Sequence, residues 1–327
     1  ALPFTNGKRG KQFVLYDISQ RSAYKNDRGN LVTNWIQISN LGAERAEGVL
    51  RTYNNLGGII GDQAVYLEAR QRVDLPAHQF GPSQVGLVEW IPTDKEIPFT
   101  LRNIQYHYDN PGNIESFASA FEQSGAYASG DGMIVPFQTS ANDSAVLQIS
   151  NVLGEPLNVW LNFFDTNGLA ASAPTQVALP PKGSYILHLD DAIPESQGSV
   201  LLRTGSLSSL VAGVTQITRT KKRGIAAMSY TPARSGAGAV LRGSFNTYMG
   251  QRSSVWITNT TDFAQDVAFG AVPSEGAGHP AYYNFTVPSH GTRIVVVPSV
   301  EAYGVVTVLN GNRNALVSWI RRERHDF

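Results

Sequence analysis

The sequence predicts an all-β chain built from three tandem β-sandwich repeats of about 100–110 residues. Three observations carry this. Charged residues make up only 16% of the 327, below the ~25% of an average soluble domain. Gly (31), Pro (17), Tyr (13) and Phe (14) are plentiful while Met is scarce at 3, a mixture that favours short strands and turns over long helices. An alternating strand ending in asparagine then occurs three times, as Trp35-Ile36-Gln37-Ile38-Ser39-Asn40, Val146-Leu147-Gln148-Ile149-Ser150-Asn151 and Ser254-Val255-Trp256-Ile257-Thr258-Asn259, with the asparagines 111 and 108 residues apart.

Ile36 and Ile38, Leu147 and Ile149, and Val255 and Ile257 are two apart and share a buried face, because side chains alternate along a strand. Asparagine suits the bend that follows, where its side chain can bond the local backbone. A second alternating run comes next: Val49 to Tyr53, Val159 to Phe164, Val267 to Phe269. Turns follow at Asn54 to Gly58 and Asp165 to Gly168, with Pro273 to Gly276 in the third copy. A third strand then meets a proline turn, at Pro76, Pro180 and Pro288. Asparagine to proline spans 29 residues in copies two and three and 36 in copy one, so a longer loop or hairpin is expected around residues 56–68. This alignment also puts His78 and His290 at one repeat position, as exposed turn histidines. Two strands close each copy, from Val85 and Phe99, from Gly198 and Leu210, and from Gly304 and Ala315.

About seven short strands per repeat match an immunoglobulin-like β-sandwich. The expected repeats are 1–115 (atypical, with the longer loop), 125–222 and 238–327. Apolar strand, asparagine, short turn and second alternating strand together resemble CARDB-like and other immunoglobulin-like modules of bacterial exported proteins. The likeness spans 10–105, 125–220 and 238–325. It implies a sandwich fold and a cell-envelope setting, and it transfers no functional residue. Residues 109–132, with Phe117 and Phe121 spaced for one helical turn, and 221–239 read as linkers.

Lys+Arg and Asp+Glu both total 26, so the basic surplus of a nucleic-acid binder is missing. The chain has no cysteine, which excludes disulfides, thiolate metal sites and cysteine nucleophiles. No apolar run reaches the ~18 residues of a membrane span, and Ala1-Leu2-Pro3-Phe4 reads as an end left by signal-peptide cleavage or by truncation. The six histidines form no H-x-x-x-H or H-E-x-x-H motif. Asp165-Thr166-Asn167-Gly168 lacks the remaining ligands of a calcium loop and reads as a hairpin turn. Neither a nucleophile elbow nor a phosphate-binding loop occurs. No catalytic, cofactor or metal residue is therefore expected.

Outward-facing aromatics remain. By strand parity Trp35 and Gln37 oppose Ile36 and Ile38, Trp256 opposes Val255 and Ile257, and Trp160 and Phe164 oppose Val159, Leu161 and Phe163. These five form the candidate binding surface, suited to sugar rings or a protein partner, or to a neighbouring module. The expectation is a non-catalytic, secreted or cell-envelope binding or scaffold protein that takes a protein or glycan partner. The alternatives are a structural subunit of a surface assembly, compatible with a homo-oligomer, and a polysaccharide-active enzyme.

Overall fold

The computed structural model describes residues 7–17, 31–76, 85–108, 117–124, 132–140, 142–206, 208–220, 224–236, 238–276, 278–298, 301–312 and 314–324. Its strands fall into three modules. Module 1 holds β1 (Gln12–Asp17), β2 (Leu31–Asn40), β3 (Ala46–Asn54), β4 (Ile59–Leu67), β5 (Arg72–Pro76), β6 (Val85–Pro92), β7 (Phe99–Tyr108) and β8 (Phe117–Ser124). Module 2 holds β9 (Met133–Gln138), β10 (Asp143–Asn151), β11 (Leu157–Asp165), β12 (Thr175–Leu179), β13 (Ser184–His188), β14 (Gln197–Arg203), β15 (Leu210–Thr220) and β16 (Gly224–Pro232). Module 3 holds β17 (Val240–Asn246), β18 (Gln251–Asn259), β19 (Gln265–Gly276), β20 (Ala281–Val287), β21 (Thr292–Val296), β22 (Ala302–Asn310) and β23 (Leu316–Arg324).

Each module is a sandwich of the same two antiparallel sheets. The front sheet runs β1-β6-β3-β4, β9-β14-β11-β12 and β17-β22-β19-β20; the back sheet runs β5-β2-β7-β8, β13-β10-β15-β16 and β21-β18-β23. The all-β, three-sandwich expectation therefore holds, with three strands departing from the immunoglobulin constant-type order. There the last strand joins the sheet of the third and sixth, and the first and fourth join the second and fifth. Here all three exchange sheets, so the seventh strand pairs with the second, the first with the sixth and the fourth with the third. Each module has its own core, centred on Trp90 and Phe99 in module 1, Leu147 and Phe163 in module 2, and Phe245 and Phe269 in module 3.

The recurring asparagines do one structural job three times. Asn40 Nδ2 donates to the carbonyls of Glu44 and Glu68, Asn151 Nδ2 to those of Glu155 and Pro180, and Asn259 Nδ2 to those of Phe263 and Pro288. Each Oδ1 accepts the backbone N–H two residues on. One buried amide thus closes the turn after the second strand onto the turn after the fourth.

That bond pattern corrects the sequence alignment of copy one. The equivalent of Pro180 and Pro288 is Glu68, not Pro76, which lies a strand later at the end of β5. Arg70, Lys182 and His290 share the third place of this turn, and all three have left-handed backbone, φ 61°, 57° and 53°. No seven-residue insertion remains; residues 59–67 are the paired strand β4. His78 lies outside the described residues and loses its equivalence to His290. Both segments read as linkers contain strands. β8, which carries Phe117 and Phe121 as strand rather than helix, and β16 add an eighth strand beside β7 and β15. The third-copy turn at Pro273 to Gly276 is instead the end of β19, with a bulge between Pro273 and Glu275.

Candidate functional site at the module junctions

Successive modules meet by one construction used twice. The outer face of the front sheet of one module receives the outer face of the back sheet of the next. At the first junction Phe13, Leu15, Tyr53 and Leu87 of module 1 bury themselves with Val152, Val211 and Tyr230 of module 2. Gln148 Nε2 donates to the carbonyls of Tyr16 (3.1 Å) and Gly86 (3.2 Å). At the second junction Ile134, Leu201 and Phe164 of module 2 meet Val317 and Trp319 of module 3. There Trp319 Nε1 donates to the Pro232 carbonyl at 3.3 Å.

The hairpin tips explain the match. Asn54 Oδ1 accepts from the N–H groups of Leu56 and Gly58, and Asp165 Oδ1 from those of Asn167 and Leu169, so the two β-hairpin turns are built alike. Each tip seats on the fourth-to-fifth-strand turn of the next module. Ser184 N–H donates to the Asn55 carbonyl at 2.8 Å and Thr292 N–H to the Thr166 carbonyl at 3.0 Å. Gly57 (φ 84°) and Gly168 (φ 79°) allow that approach, since a Cβ there would collide with the carbonyl oxygens of Pro181 and Ser289.

The left-handed turn residue then reaches the aromatic that ends the third strand of the preceding module. Lys182 Nζ stands 5.5 Å from the Tyr53 ring centroid and 5.6 Å from that of Phe13. It also pairs with Glu89 Oε2 at 3.2 Å and donates to the Val152 carbonyl at 2.7 Å. Glu89 is 1% exposed and is also held by Lys11 Nζ (3.0 Å) and the Tyr53 hydroxyl (2.8 Å). Burial pushes its pKa upward, but the Tyr53 hydrogen bond, the Lys182 charge and Lys11 outweigh it, and the carboxyl is held below its ordinary value. Burial, then the Glu89 carboxylate, raises the Tyr53 phenol. His290 does the corresponding job at the second junction, stacked on Phe164 at 4.6 Å with Nε2 2.9 Å from Asp262 Oδ1. It is 7% exposed, not the exposed turn histidine the sequence suggested.

The five candidate surface residues divide accordingly. Trp256, three residues before its asparagine like Gln37 and Gln148, is 6% exposed, so its outward direction leads into the second junction rather than to solvent. It borders a cavity of about 170 Å³ with Pro136, Tyr230 and Trp319. Phe164 is part-buried under His290. Trp35 and Gln37 are half-exposed on the back sheet of module 1, and Trp160 is 45% exposed. The five therefore form no single patch. Beside the cavity Arg321 of module 3 contacts Thr218, Asp143 and Gln138 of module 2. Sequence reasoning missed Glu89, Lys182, Gly57 and Gly168; the lone carboxylate inside Val85 to Trp90, an otherwise apolar run, was the available signal. Among the described residues no group of three or more His, Asp or Glu side chains could hold a metal ion, and no helix is long and apolar enough to cross a membrane.

No family model and no curated protein matches the chain. Solved structures give faint likenesses. A crystal structure of Thermotoga maritima 1070 is 13% identical over 37% of this chain and 96% of its own, at a TM-score of 0.28. A variant of the major pilin from Streptococcus pyogenes is 8% identical over 97% of this chain and 99% of its own, at 0.20. A β-glucuronidase of glycoside hydrolase family 2 is 10% identical over 76% of this chain and 26% of its own, at 0.15. Scores this low carry no argument about this chain.

Proposed function

We propose that this protein is a non-catalytic, extracytoplasmic scaffold that holds its three sandwich modules in fixed relation and presents loops and outer faces to a protein or glycan partner. The carrying observation is the duplicated junction. Phe164 and Trp256, offered by the sequence as ligand platforms, are spent on joining modules, and a buried carboxylate with two lysines locks the first pair. Burying a charge costs several kcal/mol unless it is paired, so such a cluster persists where a fixed geometry is kept. The resemblance to exported bacterial modules supports placing it outside the cytoplasm. Trp160, 45% exposed, is the aromatic face offered to a partner. Fractionating cells that make the native precursor, followed by capture from envelope proteins and a glycan panel, tests this. Recovery outside the cytoplasm with a specific envelope ligand is expected; cytoplasmic recovery without one contradicts it.

A further inference from the structure

The front-sheet face that modules 1 and 2 bury in a junction is bare in module 3. Strand pairing sets the equivalences: Tyr53 lies opposite Leu87, Phe164 opposite Ser199, and Val272 opposite Val305. Tyr53, Leu87 and Ser199 are at most 5% exposed, whereas Val272 and Val305 are each 43% exposed. Tyr303 (42%), Leu309 (44%) and Val240 (49%) extend the same face. Exposed Arg242, opposite Thr307, shares this face, but Val240, Val272, Tyr303, Val305 and Leu309 make it more apolar than the solvated outer face of a repeat stack. Beside it Glu275 accepts from the Tyr303 hydroxyl and Glu301 from the Met249 N–H, so two exposed carboxylates flank the Tyr248–Tyr303 ring pair.

The complementary half lies on module 1. Gln37 occupies the place of Gln148 and Trp256, the residues that reach across each junction, and is half-exposed beside Trp35. Arg70 occupies the place of Lys182 and His290 and is exposed, on the same left-handed turn. In both internal junctions that residue sits over a third-strand aromatic of the preceding module, and in the first it pairs with a carboxylate. By the same register Val272 and Thr307 take the places of Tyr53 and Glu89, and Glu275 and Glu301, of opposite charge to Arg70, lie beside them near the end of β19 and the start of β22.

We propose that the face of module 3 around Val272, Val305 and Tyr303 docks module 1 of a second copy of this chain, head to tail, through the construction that joins modules within the chain. The contact is heterologous, so copies add in an open series rather than closing into a pair. The hairpin tip of the internal junctions has no counterpart at this end, because β19 runs on to Gly276; the sheet face and the Arg70 contacts carry the association. The inference rests on the repeat geometry and not on cellular location or ligand.

Sedimentation velocity on the full chain and two surface variants tests it. For the wild type, mass-average size should rise steadily above the 35.5 kDa monomer with concentration. Arg70→Glu (blocked head) and Val305→Asp (blocked tail) should each be monomeric alone with unchanged melting temperature. Their mixture should form dimers that do not grow, since each supplies the end the other lacks. A wild type monomeric up to about 1 mM, where an interface of only ~4 kcal/mol would be half occupied, overturns the proposal. So does an Arg70→Glu protein that still dimerises, which would mean a symmetric tail-to-tail contact.

Discussion

Replacing Lys182 by methionine probes the first junction while keeping most of the side chain's volume. The ammonium contributes the 3.2 Å pair with Glu89 and the 2.7 Å bond to the Val152 carbonyl. The side chains of Lys182 and Glu89 are 18% and 2% exposed, so solvent screens the pair little. Hydrogen bonds to charged groups contribute about 1.5–3 kcal/mol each, and relief of the lysine's own desolvation offsets part of two such losses. Glu89 keeps Lys11 and Tyr53, which limits the damage. The expected net loss is about 2–3 kcal/mol. Urea unfolding followed by intrinsic fluorescence measures it, with exposed Lys95→Met as a control expected to stay within ~0.5 kcal/mol. The dependence on pH has a definite sign. The folded carboxyl of Glu89 titrates below the ordinary value of 4.5, so its stabilisation is complete above 4.5 and fades as pH falls through the lower folded value. The acid-side stability slope should be shallower in Lys182→Met than in the wild type. A loss under ~0.5 kcal/mol at neutral pH, equal to the control, would refute the claim that this cluster locks the modules.

Other substitutions separate the scaffold from its faces. Gly57→Ala and Gly168→Ala each place a methyl against a carbonyl of the next module on left-handed backbone; each should cost about 2–4 kcal/mol and split the calorimetric transition into separately melting modules. Asn151→Ala removes three bonds and should cost about 2–4 kcal/mol in chemical denaturation. Asn151→Asp should not rescue it, because a carboxylate oxygen would then face the carbonyls of Glu155 and Pro180. Trp160→Ala, on an exposed face, should change stability by less than ~1 kcal/mol while lowering capture of any ligand that uses that face.

The sequence announces the modules through residues whose role is local. The asparagine bend and the two-residue alternation around Ile36, Leu147 and Ile257 need only neighbouring backbone and one buried face, and both are visible in one dimension. The turn at Glu68 to Gln71 escaped notice because it lacks glycine and proline, leaving Arg70 in left-handed backbone with no signal, while Pro76 one strand later supplied a false landmark. β8 and β16 were hidden by small residues that pair well in a sheet and also compose linkers. Parity gave the direction of Trp256 correctly. What lay in that direction, Pro136 and Tyr230 of another module, depends on contacts far apart in sequence that periodicity does not encode.

Rigid coupling of the modules is the central claim, and the cysteine-free chain offers a clean test. Spin labels at Lys95→Cys in module 1 and Asn312→Cys in module 3, both on exposed turns, report the end-to-end distance by double electron–electron resonance. One narrow distance distribution, broadened when Gly57→Ala and Gly168→Ala are added together, is the predicted result. A broad distribution in the otherwise wild-type chain, unchanged by the two glycine substitutions, would contradict it.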